Sequence, residues 1–178
     1  MRESTIARNY AEVLFELGER SGLTERYAAL MEALAAAIAG DAGIHTVLES
    51  PRVSKPQKQE ILARAFEGIA TSEFVRFLAA VIKRGRQGVL GEISNQYLAL
   101  VDDKFNRVHA GVTMAHEPDG DLREVVRSRL SELVGKEVIP HFRKDAALLG
   151  GLIVRIGDRI MDGSVRRRMM SLRRQMLG

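Results

Sequence analysis

Side chains able to do chemistry are few in this sequence, and their spacing builds no reaction centre. The histidines are His45, His109, His116 and His141, and no pair stands at the i, i+4 spacing that puts two imidazoles on one helix face for zinc. Each reads as a surface or partly buried polar residue, and His116-Glu117 lacks the rest of a zinc-protease motif. With no cysteine in the chain, disulfides, thiolate nucleophiles and zinc knuckles are excluded. A phosphate-cradling loop needs Ser or Thr after its Gly-Lys, and here Gly135-Lys136 is followed by Glu137. Gly85, Gly88 and Gly91 lie three apart without a βαβ unit around them, and read as punctuation between helices. Ser164 lacks a nucleophile-elbow pattern and reads as a helix cap. Asp102, Asp103, Asp119 and Asp121 lie at helix ends or turns, where a carboxylate caps. No catalytic, cofactor or metal-binding residue is expected, and an enzyme acting alone is disfavoured.

Charge gives the first positive signal. Over 178 residues, 46% hydrophobic and 28% charged, the composition is that of a globular protein of one domain or two small ones. Residues 1–104 carry 13 Lys and Arg against 14 Asp and Glu, whereas residues 105–178 carry 14 against 9. The excess gathers at Arg155, Arg159, Arg166, Arg167, Arg168, Arg173 and Arg174. Such asymmetry points to two modules and to an acidic partner for the second. Nucleic acid is the obvious candidate, with anionic lipid or an acidic protein helix as the others, but a single-strand platform wants interleaved aromatics, and residues 143–178 contain none. Arg166–Arg168 stand in the first turns of a helix, at the positive end of its dipole. That placement fits either external anions or a solvated charged face. No uncharged run reaches the ~18 residues of a membrane span, and the first residues lack a signal-peptide pattern, so a cytosolic location is expected.

The elements that would position these groups fall into two classes. Apolar residues at helical spacing recur in Ile6–Leu17, Leu23–Ile38, Ile61–Ile69, Phe74–Ile82 and Val89–Val101, with a short segment around Ile44–Leu48. Ser54-Lys55-Pro56-Gln57 has the form of a capping box with Pro in the first turn; Thr71-Ser72-Glu73 opens the next helix. The fourth helix is expected to bury Ile61, Leu62, Ala65, Phe66 and Ile69. This describes a six-helix bundle. Near Lys104 the period drops to two, with Val108, Ala110, Val112 and Met114 on one face of a strand. A helix from Asp121 to Val134, an edge strand at Val138–Phe142 limited by Pro140, a strand at Leu152–Ile156, a turn at Asp162-Gly163 and a last helix complete the second module. The expected fold class is α+β: a helical bundle over residues 1–104, then a small α+β domain over 105–178.

Several stretches, in order along the whole chain, resemble the delta subunit of the rotary F-type ATP synthase, the relative of the mitochondrial oligomycin-sensitivity-conferring protein. They are Ile6–Leu17, Leu48-Glu49-Ser50-Pro51-Arg52-Val53-Ser54-Lys55, Gly85–Tyr97 and, most specific, Leu149-Gly150-Gly151-Leu152-Ile153-Val154-Arg155-Ile156-Gly157-Asp158 with Asp162-Gly163-Ser164-Val165-Arg166. Asn9 and Met161 are mild departures. The resemblance implies a non-catalytic stator subunit, one copy per complex, peripheral on the cytoplasmic side of the inner membrane. Its helical domain would hold amino-terminal helices of the alpha subunits, and its second domain would meet the b subunits of the peripheral stalk. No cofactor and no nucleic acid are implied, and membrane association would come only through the complex. A nucleic-acid adaptor and a stand-alone enzyme are the rival readings.

Helical-wheel placement narrows the partner surface. At 100° per residue the first and fifth helices carry apolar arcs of roughly 200°, twice the single core-facing stripe of the second. Either these two helices are central, or their spare edges form a groove for an amphipathic helix. The candidate edges are Ala11, Val13 and Phe15 on the first helix, and Val75 and Ala79 on the fifth. Arg166, Arg167 and Arg168 are the candidates for stalk docking.

Overall fold

The computed structural model describes residues 2–177. The chain divides after Asp102 into two compact units. The first is all helical: α1 (Arg2–Ser21), α2 (Thr24–Gly40), α3 (Ala42–Glu49), α4 (Lys55–Ala65), α5 (Ser72–Lys83) and α6 (Leu90–Lys104), which begins after a 3₁₀ turn at Gln87–Val89. Local chemistry sets the starts. The Ser54 side chain accepts from the Gln57 backbone N–H while the Gln57 side chain accepts from the Ser54 N–H, closing the capping box. Asp41 and Thr71 cap α3 and α5 by the one-way bond alone, Asp41 accepting from Gly43 and Ile44 N–H and Thr71 from Phe74 N–H. An Asp41, Ser54 or Thr71 oxygen thus satisfies a first-turn N–H that the helix itself cannot.

Aromatic side chains tie this bundle together. The ring of Phe74 meets Tyr27 at 5.2 Å and Phe66 at 5.4 Å between centroids. The Tyr27 hydroxyl lies 2.7 Å from the Thr71 hydroxyl, joining α2 to the cap of α5. Tyr97 of α6 is fully buried and donates to the Thr24 carbonyl at 3.0 Å. Burial is the main cause that pushes its pKa upward, with Tyr27 and Glu19 adding to it.

In the second unit β1 (Arg107–Met114), α7 (Gly120–Val134), β2 (Glu137–Lys144), β3 (Leu152–Ile156), β4 (Arg159–Asp162) and α8 (Val165–Leu177) follow in order. The sheet runs β2-β1-β3-β4, with β1 and β2 parallel and the other pairs antiparallel. The fold class is therefore α+β, with β2 and its Pro140 on an edge where the missing N–H costs no central ladder bond. Ala110, Val112, Val138 and Val154 form the buried face and pack with Val126 and Leu130 of α7. Asp162-Gly163, expected as a turn only, also closes a strand, since Arg159–Asp162 pairs with β3. The link into α8 is tight. Gly163 N–H donates to the Leu152 carbonyl at 2.9 Å and Val165 N–H to the Gly150 carbonyl at 3.0 Å. Gly151 sits at φ +77°, and a Cβ there would meet the Gly163 carbonyl oxygen at 2.5 Å.

Three expectations about burial fail. Ile61 and Ile69 are 46% and 54% exposed, and Ala65 is exposed too. The reason is the brevity of α3, which leaves an open apolar cavity of about 610 Å³ between α2, α3 and α4 with all three residues in its lining.

Candidate functional site

Among the described residues, no group of three or more His, Cys, Asp and Glu is placed to hold a metal ion. What the first unit offers instead is a groove of about 680 Å³ between α1 and α5. Ile6, Tyr10 and Val13 line it from α1, at the i, i+4, i+7 spacing of one helix edge. Phe77 and Ala80 line it from α5, and Asn9, Arg84 and Arg86 add polar groups. The Tyr10 and Phe77 rings meet edge to face at 6.3 Å, joining the two walls. Val13 is 52% exposed although its neighbours in sequence, Ala11 and Leu14, are fully buried. Val13 with Ile6, Tyr10, Phe77 and Ala80 makes a contiguous apolar strip within this furrow, which another apolar side chain can cover.

The other expected edge residues lie elsewhere. Ala11 is not on an open edge: with Ala7, Leu14 and Gly18 it forms a stripe buried in the bundle, where small side chains let neighbouring helices approach closely. Half-buried Phe15 packs against Tyr97 with 6.2 Å between centroids. Val75 and Ala79 are half-buried and outside the groove; the Ala79 carbonyl accepts from Gln59 of α4 at 2.7 Å. The α5 wall of the groove is therefore Phe77 and Ala80, on the opposite edge of that helix's apolar arc from the expected pair.

The second unit presents α8. Arg166, Arg167 and Arg168 are all exposed, as expected of charged first-turn residues. The apolar side chains of α8 stand well out: Met169, Leu172 and Met176 are all exposed, Met176 at 84%. The opposite side of α8 faces its own domain. Arg166, Arg167, Met170 and Arg174 line a cleft with Asp145, Leu148, Ile153 and Asp162. Ser164 caps the helix by accepting from Arg167 N–H at 3.2 Å. Hydrogen bonds from Ser164 to the Asp162 carboxylate hold its pKa below the ordinary value, with Arg167 contributing further.

One pair of chemical residues escaped the sequence reading. His109 Nδ1 and His141 Nε2 lie 2.7 Å apart across β1 and β2. Their ring planes are 20° apart with centroids 5.0 Å apart, so the rings meet end to end about the N···N contact rather than face on face. Gly111 stands opposite His141 in the register and has no side chain to intervene. Only the parallel pairing, invisible in sequence spacing, brings them together.

This geometry defines a class: a two-module adaptor whose exposed features are apolar surfaces bordered by basic groups. Residues 6–176 match the sequence model of the family described as ATP synthase delta (OSCP) subunit. The chain is 40% identical over 174 residues to the ATP synthase subunit delta of Gemmatimonas aurantiaca, covering 98% of this chain and 94% of that one. It is 33% identical over 168 residues to that of Chlorobium luteolum, covering 94% and 93%. In structure it is similar to a chain of the mitochondrial ATP synthase hexamer of Toxoplasma gondii, with TM-score 0.68, 16% identity and 97% of each chain covered; that likeness shows the fold. The chain belongs to the ATP synthase delta (OSCP) subunit family. It is the stator subunit of an F-type ATP synthase, a non-catalytic structural part of the complex that couples proton transport to ATP synthesis.

Proposed function

We propose that the α1/α5 groove receives the amphipathic amino-terminal helix of an alpha subunit, while α8 meets the b subunits of the peripheral stalk. The observation carrying this is the open furrow over Tyr10 and Phe77, with Ile6, Val13 and Ala80 as apolar lining and Asn9, Arg84 and Arg86 as polar lining. A helix laid there with anchors at i, i+3, i+4 and i+7 would cover Ile6, Val13 and Ala80 together. Residues 1–104 thus hold the catalytic head and residues 105–178 hold the stalk, so that the head does not turn with the rotor. Rim arginines tune association rate and salt dependence more than final affinity, and neutralising Arg166–Arg168 together costs stalk binding only modestly. No single helix among the described residues is long and apolar enough to cross a membrane. The chain is peripheral in this reading, on the cytoplasmic side of the inner membrane, through its complex and in one copy. Tagged full-length protein should recover alpha, beta and b subunits from membranes; recovery of b alone would remove the groove from the reading, and recovery of neither would remove all of it.

A further inference from the structure

The face of α8 that points away from its own domain has a chemistry that a protein partner alone does not require. At 100° per residue Val165, Met169, Leu172 and Met176 fall within about 60° of arc. Their exposures are 40%, 59%, 58% and 84%. Arg173 and Arg166 border this stripe on one side and Arg168 on the other; Arg166, exposed like the rest, also reaches the mouth of the cleft that Arg167, Met170 and Arg174 line with Asp145 and Asp162. Among Val165–Leu177 there are five arginines and no Asp or Glu. A narrow apolar stripe with cations on both borders is the arrangement of a helix that lies in a lipid interface. There the stems of long arginines follow the apolar surface and their heads reach the phosphates. A fluid anionic surface satisfies Arg166, Arg168 and Arg173 at once and in any register. A protein helix must supply three acids at matching positions. The methionines adapt to an irregular surface where branched side chains would not.

We infer that α8 of the unassembled subunit binds the surface of an anionic phospholipid bilayer, lying in the interface with Val165, Met169, Leu172 and Met176 inward. This goes beyond the docking reading above: lipid and stalk occupy the same face in turn, and the stalk displaces lipid on assembly. Four apolar side chains are too few to hold the helix on an uncharged bilayer. Binding is therefore conditional on anionic headgroups, each bordering arginine changing affinity roughly fivefold near such a surface.

Co-sedimentation of the full-length chain with vesicles tests this. Vesicles one-third phosphatidylglycerol should bind the protein, whereas pure phosphatidylcholine should not, and half-molar salt should release it. Replacing Arg166, Arg168 and Arg173 by Gln together should lower lipid affinity roughly 100-fold. Leu172→Glu should abolish sedimentation, and both variants should melt like the parent because these side chains are exposed. Absence of binding to the anionic vesicles, equal binding to both kinds, or unchanged binding of the triple variant would overturn the inference. So would a stripe that proves to be covered by a second copy of the chain, read as a dimer in lipid-free ultracentrifugation. Binding of a b-subunit peptide in lipid-free solution is a separate readout, and its failure would bear on the stalk reading alone.

Discussion

Two substitutions two residues apart on α1 should separate folding from docking. Val13→Asp changes a side chain that is 52% exposed, whereas Ala11→Asp changes one that is fully buried. Val and Asp have similar helix propensities, so exposed replacement should cost no more than ~0.5 kcal/mol. At roughly 4–8 °C per kcal/mol for a domain of about 100 residues, the melting temperature should fall by less than ~4 °C. Ala11→Asp instead places a carboxylate in a fully buried small-residue contact, costing roughly 3–5 kcal/mol even after relaxation. That is a large part of the ~5–15 kcal/mol available to a domain, and the first unit should lose more than ~12 °C or fail to fold. Docking should rank the two in another way. A partner helix that covers the groove leaves the carboxylate introduced by Val13→Asp desolvated, and a penalty of roughly 2–4 kcal/mol weakens binding about 30- to 1000-fold. The assay is titration of the folded chain with a synthetic amino-terminal alpha-subunit peptide, beside a circular dichroism melt. Val13→Asp protein that melts normally and still binds the peptide at parental affinity would place the docking site elsewhere. An Ala11→Asp protein as stable as the parent would refute the packing argument itself.

Other consequences are local. Gly151→Ala should destabilise the second unit severely, because φ +77° and a carbonyl at 2.5 Å leave no room for a methyl group; thermal denaturation of the variant measures it. Tyr97→Phe should lower stability at neutral pH by about 0.5–1.5 kcal/mol through loss of the buried hydrogen bond to the Thr24 carbonyl. Since the folded pKa of Tyr97 is raised, its stabilisation is present below the ordinary value of 10.0 and is lost as pH rises beyond it. The gap between parent and Tyr97→Phe melting temperatures should therefore narrow in alkaline buffer. Asp162 has the opposite sign: its pKa is lowered from 3.8, so its contribution is lost as pH falls through the folded value. Asp162→Asn should flatten the acid limb of the stability profile of the second unit.

How far the sequence could be read follows from which forces are local. Helices α4 and α5 were legible because Ser54 with Gln57 and Thr71 with Phe74 N–H are contacts within a few residues. Strand β4 was not, because Arg159-Ile160-Met161-Asp162 shows no useful alternation and owes its form to pairing with β3. Burial was legible where neighbours on all sides are guaranteed, as at Leu14 or Phe74, and failed at Ile61 and Ile69, where the bundle runs out of partners. The groove illustrates the same limit more finely. A wide apolar arc says that α1 and α5 have surface to spare, but Ala11 and Val13 stand only two residues apart and end up in opposite environments. The small-residue spacing Ala7, Ala11 and Gly18 carried the missing signal, since such a stripe brings a neighbouring helix close and buries itself. The same holds for His109 and His141, thirty-two residues apart, which meet because the β1–β2 register places His109 diagonally from His141 across Gly111.

Two docking surfaces on one chain also change what a substitution in either can do. If the groove holds an alpha-subunit helix and α8 the stalk, as proposed, each bound surface tethers the chain beside the partner of the other. Rebinding of the groove to an alpha-subunit helix would then be intramolecular, governed by an effective concentration rather than by free subunit. Such linkage raises apparent affinity by roughly 10²–10⁴ without any new contact. A loss of about 100-fold from Val13→Asp would accordingly be plain with isolated peptide and largely masked in the intact complex. The masking should vanish once the tether is weakened, so Val13→Asp combined with Leu172→Glu should release the subunit from membranes when either alone does not. If the double variant stays bound as firmly as each single one, the subunit is held by surfaces other than the α1/α5 groove and α8.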